Sequence, residues 1–294
     1  MLEPRLALGT VQFGLKYGVA NKVGRPDFVE IENILQVAKD NQIDLLDTAI
    51  NYGDSESILG TIGISDFQVV TKLPEIPKDI SNVLSWISRM VEGSLERLRV
   101  SKIHAIMLHR SFDLQSDKSE LLYSSLLKLK EQGIVKKIGV SIYSYLELET
   151  FFSRYPMDII QTPYNLIDRG INRSGWLNRL RSMDVEIHSR SAFLQGLLLM
   201  YPNERSDKFA RWSSVWNVWD EWSERNRNKK IAVCLGFLKK QHDLDRIVVG
   251  VDSAAHLKEI IEDFNSKINF NLEKLDQMES TAEELINPSL WSKL

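Results

Sequence analysis

Four side chains with complementary acid–base chemistry stand at or just beyond the ends of short apolar runs: Asp47, Tyr52, Lys72 and His109. A tyrosine is a poor acid at neutral pH, with a reference pKa near ~10. A neighbouring ammonium favours the phenolate and lowers that value, and a carboxylate paired to the lysine keeps the lysine charged and aimed. A histidine beside them donates to a carbonyl oxygen and fixes its orientation. Together such groups protonate a carbonyl oxygen as hydride arrives on the carbon. None of them supplies hydride, so the chemistry calls for a nicotinamide cofactor. Singly, each has an ordinary explanation. An Asp at a strand end closes a turn, a Lys snorkels to the surface, and a Tyr before Gly is a loop aromatic. A His after an apolar run is commonly a satisfied structural group, as His104 is read here. Their conjunction, on three successive strands and one adjoining loop, carries the catalytic reading.

The elements that must bring these residues together are legible as an alternation. Short apolar runs at 6–11, 45–49, 69–72, 105–109, 138–141, 159–162, 185–189 and 247–251 have strand length and the composition of strands buried on both faces. Between them the apolar residues keep helical spacing: Phe28, Ile31, Leu35 and Ala38; then Val83, Leu84, Ile87, Val91, Leu95 and Leu98, with Ser81 placed as N-cap. Leu122, Leu126 and Leu129 follow, with Gly133 as the left-handed stop. Further helices are expected around Leu148, Phe151 and Phe152, around Trp176, Leu177, Leu180 and Met183, and around Leu257, Ile260, Ile261 and Phe264. Two more are expected near 210–225 and 229–240. The tryptophans of the first, Trp212, Trp216 and Trp219, read as the face that packs it on the protein. Leu272, Leu275, Met278, Ala282 and Leu285 mark a closing amphipathic stretch.

Eight strand–helix repeats in this length predict an α/β fold, a single-domain (β/α)8 TIM barrel over residues 1–294 with a helical extension at about 271–294. An open doubly wound sheet would carry a G-x-G-x-x-G turn after its first strand, and Gly9-Thr10-Val11-Gln12-Phe13-Gly14 lacks that spacing. In a barrel the C-terminal strand ends share one mouth. Asp47, Lys72, His109, Ser141, Gln161, Arg190 and Gly250 all fall there.

Composition narrows the partners. The 294 residues are 43% hydrophobic and 26% charged with a net charge of −3, which excludes a disordered chain and gives no field for a nucleic acid. Cys234 is the sole cysteine, so no internal disulfide or cysteine-based zinc site is expected. No His-x-His ends the first strand, and no metal site is expected. The N-terminal residues lack the pattern of a secretory leader, and no run approaches the ~18 apolar residues of a membrane span. A cytoplasmic chain with a small-molecule substrate is expected, and no motif sets an oligomeric state.

The chain resembles the aldo-keto reductase family from Leu8 to about Phe264. The resemblance is carried by Leu8-Gly9-Thr10, by Asp47-x4-Tyr52-Gly53-Asp54-Ser55-Glu56-Ser57-Ile58-Leu59-Gly60, and by Thr71-Lys72 and Met107-Leu108-His109. Further along come Ile138-Gly139-Val140-Ser141, Gln161-Thr162-Pro163-Tyr164-Asn165 and Leu194-Gln195-Gly196-Leu197-Leu198. The Tyr-Gly-x-Ser-Glu-x-x-Leu-Gly stretch is the specific one. The resemblance implies NAD(P)H-dependent reduction of an aldehyde or ketone, sugar-like carbonyls included. Tyr52 would be the general acid/base, Lys72 and Asp47 its tuning pair, and His109 the carbonyl orienter.

The same resemblance assigns cofactor contacts to Gly9, Thr10 and Asp47. It places Ser141 and Gln161 on the nicotinamide amide, and Phe193, Gln195 and Gly196 in the turn that cradles the pyrophosphate. Gly250, Asp252, His256 and Glu259 fall on the adenosine side. The chain departs from the family at several of these positions. Ile142 follows Ser141 where Asn is common, and Ile260 stands where Asn is usual. Arg190 occupies the place of the aromatic that stacks on the ring; a planar guanidinium also stacks. Members that prefer NADP usually carry Lys or Arg in the segment holding Asp252 and His256, so NADH is expected to be accepted, with NADP or NAD as the cofactor and the preference between them left open. Phe13, Lys16 and Tyr17 of the 12–26 loop are expected to border the substrate pocket. The family's N-terminal hairpin plug is not expected, which leaves the barrel floor to another element, such as the C-terminal helix. Two other readings stay open: a lyase using Lys72 as a Schiff base, and a nucleotide-binding regulatory or sensor subunit on the same fold.

Overall fold

The computed structural model describes residues 5–226, 229–266 and 273–294. Eight parallel strands close in sequence order: β1 Arg5–Gly9, β2 Leu45–Asp47, β3 Gln68–Leu73, β4 Ile103–Leu108, β5 Val135–Ser141, β6 Ile159–Pro163, β7 Glu186–Arg190 and β8 Arg246–Gly250. Closure runs through Leu8 against Leu46 on one side of β1 and Leu8 against Val249 on the other. Alternate side chains fill the interior, where Ala7, Leu45, Val70, Ala105, Met107, Ile159 and Val248 form one apolar cluster. The opposite strand faces, among them Leu8, Leu46, Ile106 and Ile160, pack under the helices.

The expected helices form at Phe28–Asp40, Val83–Leu98, Ser119–Glu131, Leu146–Phe151, Trp176–Ser182, Ser213–Arg225, Lys230–Lys239 and Ala254–Asn265. Asn82, one residue beyond the expected Ser81, supplies the cap of the second by accepting from the Ser85 amide (2.9 Å). Gly133 takes the left-handed conformation expected of a stop. In Ser213–Arg225, Trp216, Trp219 and Trp222 are buried; the Trp219 indole donates to Leu198 O (2.9 Å) and stacks on Trp222. This tryptophan face is packing.

One expectation about the ends of the barrel needs correction. The C-terminal extension forms short helical segments at Glu273–Met278, Glu283–Ile286 and Pro288–Lys293; Leu272 lies outside the described residues. Leu275, Met278, Leu285 and Trp291 are buried. Their partners come from the loops after β6 and β7: Arg169 binds Asp276 (2.6 Å), the Ser280 amide donates to Ile167 O (2.9 Å), and Lys208 donates to Trp291 O (3.1 Å). Those loops lie at the mouth, so this segment buttresses the mouth and does not cover the floor. At the floor, charge replaces apolar filling. Glu186, at the start of β7, accepts from Lys137 of β5 and from His188 (2.6 Å), with His104 of β4 nearby, and Arg246 of β8 binds Asp44 (2.6 Å).

Candidate active site

The loop after β2 carries Tyr52 and is held from three directions. The Tyr52 amide bonds Ala49 O (3.0 Å), and Gly53 takes a left-handed turn (φ +54). Gly14, at the end of the single helical turn after β1, lies flush on this loop, since a Cβ there would fall 1.7 Å from Tyr52 O. Ser55 donates to Thr10 (2.9 Å) and contacts the Thr48 hydroxyl (3.2 Å). Ser55–Ile62 is a helix that periodicity did not reveal, because it has two turns and no side-chain cap. Buried Glu56 on its first turn accepts from Thr71 (2.6 Å), Ser94 (2.5 Å) and Arg97 (2.8 Å), which ties Tyr52's loop to the residue before Lys72.

Lys72 Nζ, 1% exposed, donates to Asp47 Oδ2 (2.7 Å) and Thr48 O (3.0 Å). Asp47 Oδ1 accepts from Gln161 Nε2 (2.7 Å), whose Oε1 accepts from the Ser141 hydroxyl (3.2 Å). The Tyr52 ring lies 5.3 Å from Lys72 Nζ and packs edge-on against His109, with centroids 5.7 Å apart. The four candidate residues therefore meet at one opening.

Burial sets their protonation. It pushes the Tyr52 phenol above its ordinary value, Asp47 adds to the rise, and Arg190 opposes it. Lys72 Nζ lies over the ring, as expected of a cation that tunes the phenol, but burial and Asp47 outweigh the cations and leave the phenol raised. Burial also brings His109 down to about 4, with the Lys72 charge in support, so its imidazole is neutral at pH 7. Burial presses Lys72 downward while Asp47 holds its proton.

The opening continues as a cleft of about 350 Å3. Tyr52, His109, Asp47, Ser141, Gln161 and Arg190 line it, together with Gly9, Thr10, Phe193, Gln195 and Gly196 and with Gly250, Asp252 and His256. Glu259, one turn beyond His256, is exposed outside the lining. Of the 12–26 loop, Tyr17 lines the cleft; Phe13 is buried in the core and Lys16 is exposed away from the lining, contrary to expectation. The sequence reading missed Gln12 and Tyr143 as lining residues, which a map of loop residues alone could not distinguish from surface. Gln12 Oε1 is buried without a hydrogen-bond partner beside Gly250, where a Cβ would fall 2.5 Å from its amide. A cleft that gathers amides and a hydroxyl, an orphan acceptor in its wall and glycines from several loops fits a dinucleotide. Asp252 and His256, also in its lining, bond each other (3.1 Å).

Comparison with known proteins bears on the whole chain. The model of the aldo/keto reductase family matches residues 5–283. The chain belongs to that family. It is 30% identical over 186 residues to the aldo-keto reductase YhdN of Bacillus subtilis, a match covering 58% of this chain and 53% of that relative, about half its length. Two solved structures share the fold: the holo form of the aldo-keto reductase AKR11C1 of Bacillus halodurans and the glycerol dehydrogenase AKR11B4 of Gluconobacter oxydans. The first has a TM-score of 0.71 at 18% identity over 93% of this chain and 90% of that one. The second has a TM-score of 0.71 at 23% identity over 97% and 93%. Among the described residues, no helix is long and apolar enough to cross a membrane and no acidic, His or Cys group is arranged to hold a metal.

Proposed function

We propose that this aldo/keto reductase is an NAD(P)H-dependent enzyme that reduces an aldehyde or ketone to an alcohol. The observation that carries the proposal is the convergence of Tyr52, His109 and the buried Lys72–Asp47 pair beside a cleft of about 350 Å3 lined by glycines, amides and a hydroxyl. The cofactor supplies hydride when bound. Ser141 and Gln161 would hold its carboxamide, Phe193, Gln195 and Gly196 its pyrophosphate, and Gly250, Asp252 and His256 its adenosine side. Neutral His109 aims the carbonyl oxygen. Tyr52 donates its proton to that oxygen, and its raised phenol keeps the proton in place until the oxygen turns basic.

Tyr52→Phe is expected to abolish NAD(P)H-dependent carbonyl reduction, followed at 340 nm over a panel of aldehydes, ketones and sugars, while cofactor affinity stays near wild type. Undiminished turnover would remove Tyr52 from the role. Asp252 beside the adenosine side repels a 2′-phosphate, so NADH is expected to give the higher kcat/KM. An NADPH value a hundredfold above it would reverse that assignment. A Schiff-base role for Lys72 has the less support, because its ammonium is engaged by Asp47 and Thr48 and is absent from the cleft lining.

A further inference from the structure

One cation in the cleft has no acidic partner. Arg190 ends β7, donates to Ile142 O (2.9 Å) and the Ser191 hydroxyl (3.2 Å), and lies over the Tyr143 ring 4.6 Å from its centroid. Among the described residues no carboxylate forms an ion pair with it. The other charges at this end cancel: Asp47 with Lys72 (2.7 Å), and Glu75 with Arg110 (3.0 Å) on the rim. Asp168 interacts electrostatically with Arg190; burial brings its carboxyl up to about 6, so it is still largely ionised at pH 7 and offsets part of that charge, and its oxygen accepts from the Gly170 amide. Arg190 therefore places a positive charge at the chemical end of the cleft with no ion-paired carboxylate among the described residues, and Asp168 offsets it in part.

We infer that Arg190 biases a bound nicotinamide toward its reduced form, so that the cleft binds NADH more tightly than NAD+ and favours carbonyl reduction over alcohol oxidation. The inference rests on the function proposed above and concerns the direction of that reaction. In the reduction a hydride, two electrons with one proton, leaves the ring's C–H bond and forms a C–H bond on the carbonyl carbon. The carbonyl oxygen takes the Tyr52 proton, and the ring gains one positive charge. That ring must touch the carbonyl that Tyr52 protonates, which puts it within the range over which Arg190 already acts. Arg190 favours the less positive form of Tyr52, Lys72 and His109 alike. The neutral reduced ring is spared the repulsion that the oxidised ring meets. The bias comes from Arg190, which stands where the resemblance places a stacking aromatic in many members of the family.

The test is titration of NADH, NAD+ and ADP-ribose against wild type, Arg190→Gln and Arg190→Lys, read by protein fluorescence. Wild type is expected to bind NADH at least tenfold more tightly than NAD+. Arg190→Gln is expected to reduce that ratio by about tenfold, a shift of about 30 mV for a two-electron couple, chiefly through tighter NAD+ binding. Arg190→Lys keeps the charge and is expected to keep most of the ratio. ADP-ribose, which lacks the ring, is expected to bind all three proteins equally; a loss there in Arg190→Gln, with the nucleotide ratio unmoved, assigns Arg190 a structural role and overturns the inference. A ratio unchanged in Arg190→Gln also overturns it while leaving the proposed reductase intact. Absence of binding of either nucleotide by wild type overturns both.

Discussion

At the residue scale, reactivity here is set by what burial does to each side chain. His109, brought down to about 4, stays neutral across the physiological range, and Tyr52, raised above its ordinary value, keeps its proton. A reduction needs the phenol protonated and the imidazole as an uncharged donor. Its rate is therefore sustained above the histidine pKa and below the tyrosine pKa, and falls as pH drops toward 4. The expected kcat/KM profile for reduction is level between about pH 5 and pH 9. A limb near 6.5 in a pH–rate measurement would show that His109 titrates as if exposed. The residue types themselves were readable in the sequence; their protonation was not. From sequence, Lys72 was expected to pair with Asp47 and to tune Tyr52, and that pair forms beside the ring; what the sequence did not reveal is that burial and Asp47 raise the phenol while Arg190 opposes them.

At the element scale, the strands were legible within one or two residues, except that β5 begins three residues before its apolar run, because buried parallel strands are written as continuous apolar runs. Their ends were legible too: Asp47 closes β2, and His109 follows directly on β4 with its amide still bonded to Leu73 O (3.1 Å). What escaped was short structure stabilised by tertiary contact. Ser55–Ile62 is fixed by Ser55 on Thr10 and by Glu56 on Thr71, Ser94 and Arg97, partners distant in sequence that no local pattern announces. Gly14 belongs to the same class, since its need for glycine appears only when the Tyr52 loop lies against it. Gly14→Ala is expected to push that loop aside and lower kcat/KM by about a hundredfold, the cost of displacing a catalytic group by roughly an ångström, with folded protein recovered. Wild-type kinetics in that variant would show that the loop yields elsewhere.

For the whole molecule, the barrel closes at its two ends by different means. The C-terminal turns lean on the loops after β6 and β7, and the floor holds the Glu186 cluster and the Arg246–Asp44 pair. The sequence suggested a helix under the floor because an amphipathic stretch was left over. Which end it serves depends on Arg169 and Lys208, whose reach is set by loop geometry. Glu186→Ala strands Lys137 and the wholly buried His188 without their acceptor. A loss of about 3 kcal/mol in urea unfolding is expected, with NADH affinity unchanged because the cluster lies at the opposite end from the cleft. Unaltered stability would mean that the floor charges are hydrated.

The loops after β1 and β7 clasp each other beside the cleft. Tyr17's hydroxyl accepts from Gln195 Nε2 (2.9 Å), the Val19 amide bonds Gln195 O (3.1 Å), Gly196 admits the Ala20 methyl, and Lys22 reaches Glu204 (2.6 Å). A dinucleotide bound as proposed would lie against that clasp and would leave only when it unfastens. Residence time and equilibrium affinity thereby become separate properties of the protein: the first answers to how often two neighbouring loops part, the second to the walls they enclose.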